Sequence, residues 1–530
     1  DESGAADLSH LLGIRVHLHD SGVRQDTRDI QDSTEFIKQK GELKMKKTLR
    51  LIALFLLVSQ VLVSCGEGEK PDTTDADTST DGESTTSVET SILDSLPERD
   101  YGGAEYTILA AVEQDANKFC VDEQTGDKLS DAIYNRNKEV EDMYNIIFNY
   151  DVVDGYMAGM SEVHNRLTGS VLAGDCTYDM YVQNSAYVSQ LILEGLFADM
   201  NSDKNFDFDG AWWHKQTNEN LMINDRLYIA SGFYGVGTLT ESWCMLINKE
   251  LADDLNLESP YQSVSDGTWT FDKMLGMAKS AVSDLNGDSK FDENDRYGFL
   301  MTGTEAYSPL SYAMGRLVTK NNENGIPEFV DATEHTLNVM EKLNILSKNA
   351  DNIRYSTKDV RPDREIIPMF CNKQGLFAIY PMRIVEYPEM RDGPDFGILP
   401  LPKYDEQQEN YITMAYPFVT AIPALVKDPD MSSVVLEALN RLSYLDVFPV
   451  YKEIVLQRKL ARDSESAEIV DIIGQNVLCD FGTIFFIRIN GDIIWPQNIC
   501  SKYASWWASN KEKLTKSLDD IVETISKLEN

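Results

Sequence analysis

From Tyr101 onward the chain alternates short apolar runs with amphipathic stretches, and no other feature restricts its fold as much. GAEYTILAAV, IIFNYDVV and YDMYVQN read as strands. LSDAIYNRNKEVEDMYN, MSEVHNRLTGSVLAG and AYVSQLILEGLFADM carry apolar residues at three-to-four spacing, which gives a helix one buried face. Strands alternating with helices of this length predict a mainly parallel sheet covered on both faces, so the expected fold class is α/β.

The pattern persists downstream. RLYIASGFY, SWCMLINKEL, GLFAIYP and FGILPLP read as strands, and Thr270 stands in a capping position before the helix FDKMLGMAKSAVSDL. Further helices are expected at HTLNVMEKLNILSKNA, SSVVLEALNRL, SAEIVDIIGQNV and ASNKEKLTKSLDDIVETISKL. There is no repeat of fixed period and no second linker, which favours two interleaved lobes.

The net charge of −39, from 48 Lys and Arg against 87 Asp and Glu, argues against a nucleic-acid partner, which needs a concentrated basic face. With 42% hydrophobic and 10% aromatic residues the chain can fill a core, so disorder throughout is also excluded. Residues 1–64 hold nine basic and nine acidic side chains, which places the whole charge excess in 65–530. At Met45 the sequence reads MKKTLRLIALFLLVSQVLVSC, a cationic start followed by an apolar run shorter than the roughly 20 residues of a membrane span. Leu62-Val63-Ser64-Cys65 resembles the lipobox of bacterial lipoproteins, in which the Cys becomes the lipidated first residue. Residues 45–64 are therefore expected to be a signal peptide and Cys65 a lipidation site. Residues 65–100 then form a Thr/Ser/Asp/Glu-rich tether with a reach of roughly 30 Å. A secretion signal works from the N-terminus, so residues 1–44 are expected to be an upstream reading-frame extension; a real but disordered leader is the alternative.

Several stretches of the mature chain occur in the order of a known family. INKEL, then Gly267-Thr268-Trp269-Thr270 opening a helix, then an acidic loop ending in Tyr297-Gly298-Phe299 forms the central run. FCNKQGLFAIY (Phe370 to Tyr380), Phe396-Gly397-Ile398-Leu399-Pro400 and TAIPA follow it; RLYIASG and ARDSESAEIVDII match the large Gram-positive branch. The chain thus resembles the extracellular solute-binding proteins of family 1, the carbohydrate-binding lipoproteins of bacterial ABC importers. The resemblance implies a two-lobed, periplasmic-binding-protein-like (type II) fold with an interlobe ligand cleft. By analogy lobe 1 comprises 101–240 and 395–430, and lobe 2 comprises 241–394 and 431–530. It further implies a monomeric, lipid-anchored receptor outside a Gram-positive cell membrane. That receptor would close on a sugar or oligosaccharide and deliver it to the importer's permease subunits, and it would not be an enzyme. A surface glycan hydrolase or lyase, or a glycan adhesin, on the same anchor is the rival reading.

A sugar presents hydroxyls around apolar C–H faces, so its site needs flat aromatics and planar polar groups. Trp212-Trp213, adjacent in a Gly/Asp-flanked loop, are candidates, with packing as a structural plug the alternative. Tyr187, after Gln183-Asn184 at the end of a predicted strand, sits where ligands gather in open α/β sheets; helix capping by Asn184 is the alternative. Tyr234 and Glu241-Ser242-Trp243 flank the expected hinge. By the resemblance, Tyr307 and the Tyr380-Pro381-Met382-Arg383 turn face ligand. Tyr416 and Trp495 are further candidates, with core packing the alternative.

Asp284, Asn286, Asp288 and Asp295 hold positions 1, 3, 5 and 12 of a calcium-loop pattern, and the Lys290 carbonyl would fill position 7. Ser289 replaces the turn glycine and Asp295 is shorter than the usual Glu. A structural Ca2+ is the expected cofactor there, and a metal-free acidic surface turn is the alternative. Downstream of the leader His164, His214 and His335 lack metal-ligand or triad spacing, and the chain has no Gly-rich phosphate loop. Cys120, Cys176, Cys244, Cys371, Cys479 and Cys500 read mainly as buried thiols.

Overall fold

The computed structural model describes residues 92–156, 159–174, 176–301, 303, 306–330, 332–348, 353–355, 365–455 and 464–528. The expected upstream extension (1–44), the expected signal peptide (45–64), Cys65 and most of the expected tether lie outside them. Among the described residues no helix is long and apolar enough to cross a membrane.

In chain order the strands are β1 (Ala104–Ala111), β2 (Ile146–Val152), β3 (Met180–Asn184), β4 (Ala230–Ser231), β5 (Trp243–Asn248), β6 (Tyr297–Met301) and β7 (Thr319–Asn321). They continue with β8 (Pro327–Phe329), β9 (Ile353–Tyr355), β10 (Gly375–Pro381), β11 (Phe396–Leu399), β12 (Thr413–Met414), β13 (Phe418–Ala421) and β14 (Val477–Leu478). Ten of them form two five-stranded sheets, ordered β2-β1-β3-β13-β4 and β11-β5-β10-β6-β9. β1 lies parallel between β2 and β3, so Ile108 stands beside Tyr150 on one side and Met180 on the other. β13 returns antiparallel to β3 and β4, while in the second sheet β10 runs parallel to β6 and antiparallel to β5. The α/β expectation holds, with mixed rather than wholly parallel sheets.

Local signals explain most elements. Asp127 caps the helix Lys128–Tyr144 by accepting from the backbone amides of Leu129 and Ser130, and Asn145 ends it at φ +50°. The face Ile133, Arg136, Asn137, Val140 and Tyr144 is buried. Thr270 caps the helix Phe271–Ala281 through the Lys273 amide, as the sequence suggested. That helix lies so close to β6 that a Cβ on Gly298 would stand 2.0 Å from the Ala278 carbonyl oxygen. Gly298→Ala is therefore expected to cost about 2 kcal/mol or more, since backbone on both sides must move; a denaturant midpoint equal to wild type would refute the close approach. No disulfide joins the six downstream cysteines, and burial pushes the Cys120 and Cys244 thiols up to about 12.

Four details differ from the sequence reading. AYVSQLILEGLFADM forms only short turns at Ser185–Tyr187 and Ser189–Leu193, and RLYIASGFY contributes only the two residues of β4. β11 pairs with β5, so residues 396–399 belong to the second sheet rather than to lobe 1. The helix Pro429–Leu442, expected in lobe 2 from residue 431 onward, packs against Lys128–Tyr144, expected in lobe 1. Every residue from Met431 to Leu442 is buried, so this helix needs cover all round, and its sequence cannot say which elements supply it.

Candidate functional site

The chain leaves the first sheet through the short helix Gly237–Thr240, whose Thr238 hydroxyl accepts from the β13 Phe418 amide at 3.1 Å, and enters β5 past Glu241. Around this crossover gather segments that follow strand ends: Glu113–Lys118 after β1, the loop carrying Tyr156 after β2, Ser185–Tyr187 after β3 and Met382–Glu386 after β10. Strand ends are where open α/β sheets leave a crevice.

Two ion pairs form the polar part. Lys118 Nζ donates to Asp115 Oδ1 at 2.8 Å and to Thr240 Oγ1 at 3.2 Å, with the Lys118 and Asp115 side chains only 12% and 16% exposed. Arg383 donates to Glu241 and, at 3.3 Å, to the Tyr380 hydroxyl, its guanidinium lying 5.1 Å from that ring's centroid. The Tyr156 hydroxyl donates to Asp115 Oδ2 at 2.8 Å. Burial first, then the Asp115 charge and hydrogen bond, push the Tyr156 phenol far up, and Glu241 adds to the shift. Tyr156 thus feels both carboxylates and remains a hydrogen-bond donor at neutral pH. The apolar part is two edge-to-face pairs, Tyr156 with Tyr187 at 5.7 Å and Trp243 with Tyr380 at 6.0 Å. Charged, donating and flat aromatic groups from both sheets thus meet at one crossover, a composition suited to a polyhydroxylated ligand.

Of the residues singled out from the sequence, the structure brings together Tyr187, Glu241, Trp243, Tyr380 and Arg383. Gln183 is fully buried and donates to the Gly155 carbonyl, while Asn184 caps Ser185–Tyr187 and donates to the Tyr416 carbonyl. Ser242 bonds back to the Thr238 carbonyl, Met382 is buried with its amide on the Ser242 carbonyl, and Tyr307 is buried. Tyr234 lies under the Arg136 guanidinium in the core, and Trp495 packs on Phe486. Trp212 and Trp213 are buried too, each indole N–H donating at 2.8 Å to one oxygen of Glu437. The sequence reading missed Asp115, Lys118, Tyr156 and Thr240. The strand-end rule that drew attention to Tyr187 would have found the first three after β1 and β2.

His214, beside that tryptophan pair, is buried with Nδ1 on the Ser231 hydroxyl at 2.8 Å, and burial pushes its pKa down to about 4. A depressed folded pKa gives stability that is complete above the unfolded value near 6.5 and is lost as pH falls toward 4. The stability difference between wild type and His214→Phe should accordingly shrink by roughly 3 kcal/mol between pH 7 and 4. A constant difference in chemical denaturation across that range would show the imidazole is not buried neutral.

In the acidic loop the side chains close on their own backbone. Asp284 accepts from the Gly287 and Ser289 amides, Asn286 from Asp288, Asp288 from Lys290, and the buried Asp295 from Leu285 and Asp292. The Asp292 amide above all holds the Asp295 carboxyl below its ordinary value. Ser289 adopts φ +65°, the pose its missing glycine would take. Among the described residues no three His, Cys, Asp or Glu side chains are gathered to hold a metal ion. The carboxylates thus close on backbone amides rather than converge as a ligand cage.

The two-sheet architecture is similar to that of solved sugar-binding proteins. Similar in fold is the cyclic alpha-maltosyl-1,6-maltose binding protein from Arthrobacter globiformis, at 12% identity over 79% of this chain and 100% of that one, with a TM-score of 0.51. The maltose-binding periplasmic protein MalE from Listeria monocytogenes aligns at 14% identity over 80% and 97%, TM-score 0.49. The galacto-N-biose-/lacto-N-biose I-binding protein from Bifidobacterium longum aligns at 12% over 81% and 99%, TM-score 0.49. No family model and no curated protein matches the sequence.

Proposed function

We propose that the chain is a lipid-anchored, extracellular carbohydrate-binding protein that delivers a sugar or oligosaccharide to an ABC importer by closing its lobes. The observation that carries this reading is the cluster at the crossover, where Tyr156, paired with Tyr187, bonds the Asp115–Lys118 pair and Tyr380, paired with Trp243, bonds the Glu241–Arg383 pair. The partly exposed Tyr156 and Tyr187 rings can supply stacking faces for C–H surfaces, Trp243 and Tyr380 are buried as support, and the ion-paired groups keep lone pairs and N–H donors for hydroxyls. A ligand touching groups on both sides of the crossover favours the arrangement in which they are close, which is a population shift toward closure. The similar fold supports the reading, since the Arthrobacter globiformis protein is named for binding a cyclic maltosyl-maltose.

The test is a panel of neutral and acidic oligosaccharides incubated with the full chain. Thermal stabilisation with the glycan recovered intact is the expected result. Turnover would replace the receptor with the hydrolase or lyase, and binding without association to a permease would leave the adhesin. For the anchor, metabolic labelling with a fatty-acid analogue should mark wild type and not Cys65→Ser.

A further inference from the structure

The crossover cluster carries two positive and two negative side chains, and each cation has its carboxylate. Lys118 is held by Asp115 at 2.8 Å, and Arg383 by Glu241. Resting on the carbohydrate reading above, we infer that Glu241 sets the charge class of the ligand: by occupying Arg383 it makes this a site for neutral glycans and excludes those bearing uronic acids. An incoming carboxylate finds no uncompensated cation in the cluster. It would have to displace Glu241 or Asp115 from a poorly solvated pair, or stand beside them unpaired, and both routes oppose binding. Neutral hydroxyls meet no such obstacle, because they donate to carboxylate lone pairs and accept from the remaining guanidinium N–H groups without separating either pair. Arg383 and Glu241 keep 34% and 21% of their side-chain surface, so the pair is reachable by a ligand yet screened enough for the repulsion to count. Lys118 and Asp115 are more enclosed and tied to Thr240 and Tyr156, which leaves the Arg383 pair as the selective one.

The test measures affinity by calorimetry for maltotriose, lacto-N-biose and other neutral oligosaccharides against tri-galacturonate and glucuronic-acid-containing oligosaccharides. Wild type should bind a neutral member at least tenfold more tightly than any acidic one. Glu241→Gln, which leaves Arg383 without its carboxylate, should move the acid-to-neutral ratio at least tenfold toward acid, and added salt should reverse that gain. Arg383→Gln, which leaves Glu241 anionic and unpaired, should move the ratio the other way, so the inference stays testable if one variant does not fold. A wild type that prefers uronates, or a folded variant whose ratio is unchanged, overturns the role of Glu241 while leaving sugar binding intact. Binding of neither class overturns the carbohydrate reading and this inference with it.

Discussion

Replacing Glu437 by alanine is expected to destabilise the protein by about 3–5 kcal/mol, as loss of one partner from a buried ion pair does. The carboxylate is fully buried, so desolvation raises its pKa, but Arg441 and the two indoles of Trp212 and Trp213 offset that burial. Arg441 Nε donates to it at 2.8 Å, and the guanidinium also lies 4.3 Å from the Trp212 ring centroid and bonds the Ile92 carbonyl. One truncation would leave a buried cation without its counter-charge and two indole N–H groups without acceptors, which costs desolvation with nothing in return. Glu437→Gln, which keeps an acceptor but loses the charge, should cost less. The measurement is equilibrium chemical denaturation. A loss below about 1 kcal/mol for the alanine variant would mean that the tryptophan pair holds its place by packing alone.

Tyr187→Ala is the substitution expected to weaken glycan binding most for the least cost in folding, by about 10- to 100-fold in Kd, or about 1.4–2.8 kcal/mol. Tyr187 is half-buried and its ring meets Tyr156 edge-to-face, so its removal takes away a stacking surface and lets the Tyr156 ring turn. Calorimetry with the tightest glycan of the panel reads the effect, and the melting temperature of the unliganded variant checks the fold. Unchanged affinity in a folded variant would move the ligand away from the β3 end of the cluster. The two substitutions act on different links: Glu437 on the packing of lobe 1, and Tyr187 on the site that packing holds up.

Much of the fold was legible because its causes are local. The helix Lys128–Tyr144 announces itself by its apolar spacing and its Asp127 cap, and β1, β2 and β3 by short apolar runs. The site was legible in part. Tyr187, Glu241, Trp243, Tyr380 and Arg383 were drawn from strand ends, an expected hinge and a resemblance, and they do meet. Trp212-Trp213 stood out in the sequence for the same reason a ligand platform would, as large flat side chains side by side. What occupies them is Glu437, more than two hundred residues away, and no local pattern encodes that partner.

The sequence by itself determined the alternation of strands and helices, the caps and the supply of aromatic and charged side chains, because these follow from spacing and backbone preference within a few residues. Only the tertiary structure decided which sheet takes β11, which lobe covers the helix Pro429–Leu442, and that Asp115, Lys118 and Tyr156 join Glu241 and Arg383 at one crossover. Those outcomes depend on contacts between residues distant in sequence. Such contacts form where burial and pairing are satisfied together, and a buried strand or helix reads the same whichever neighbour satisfies it.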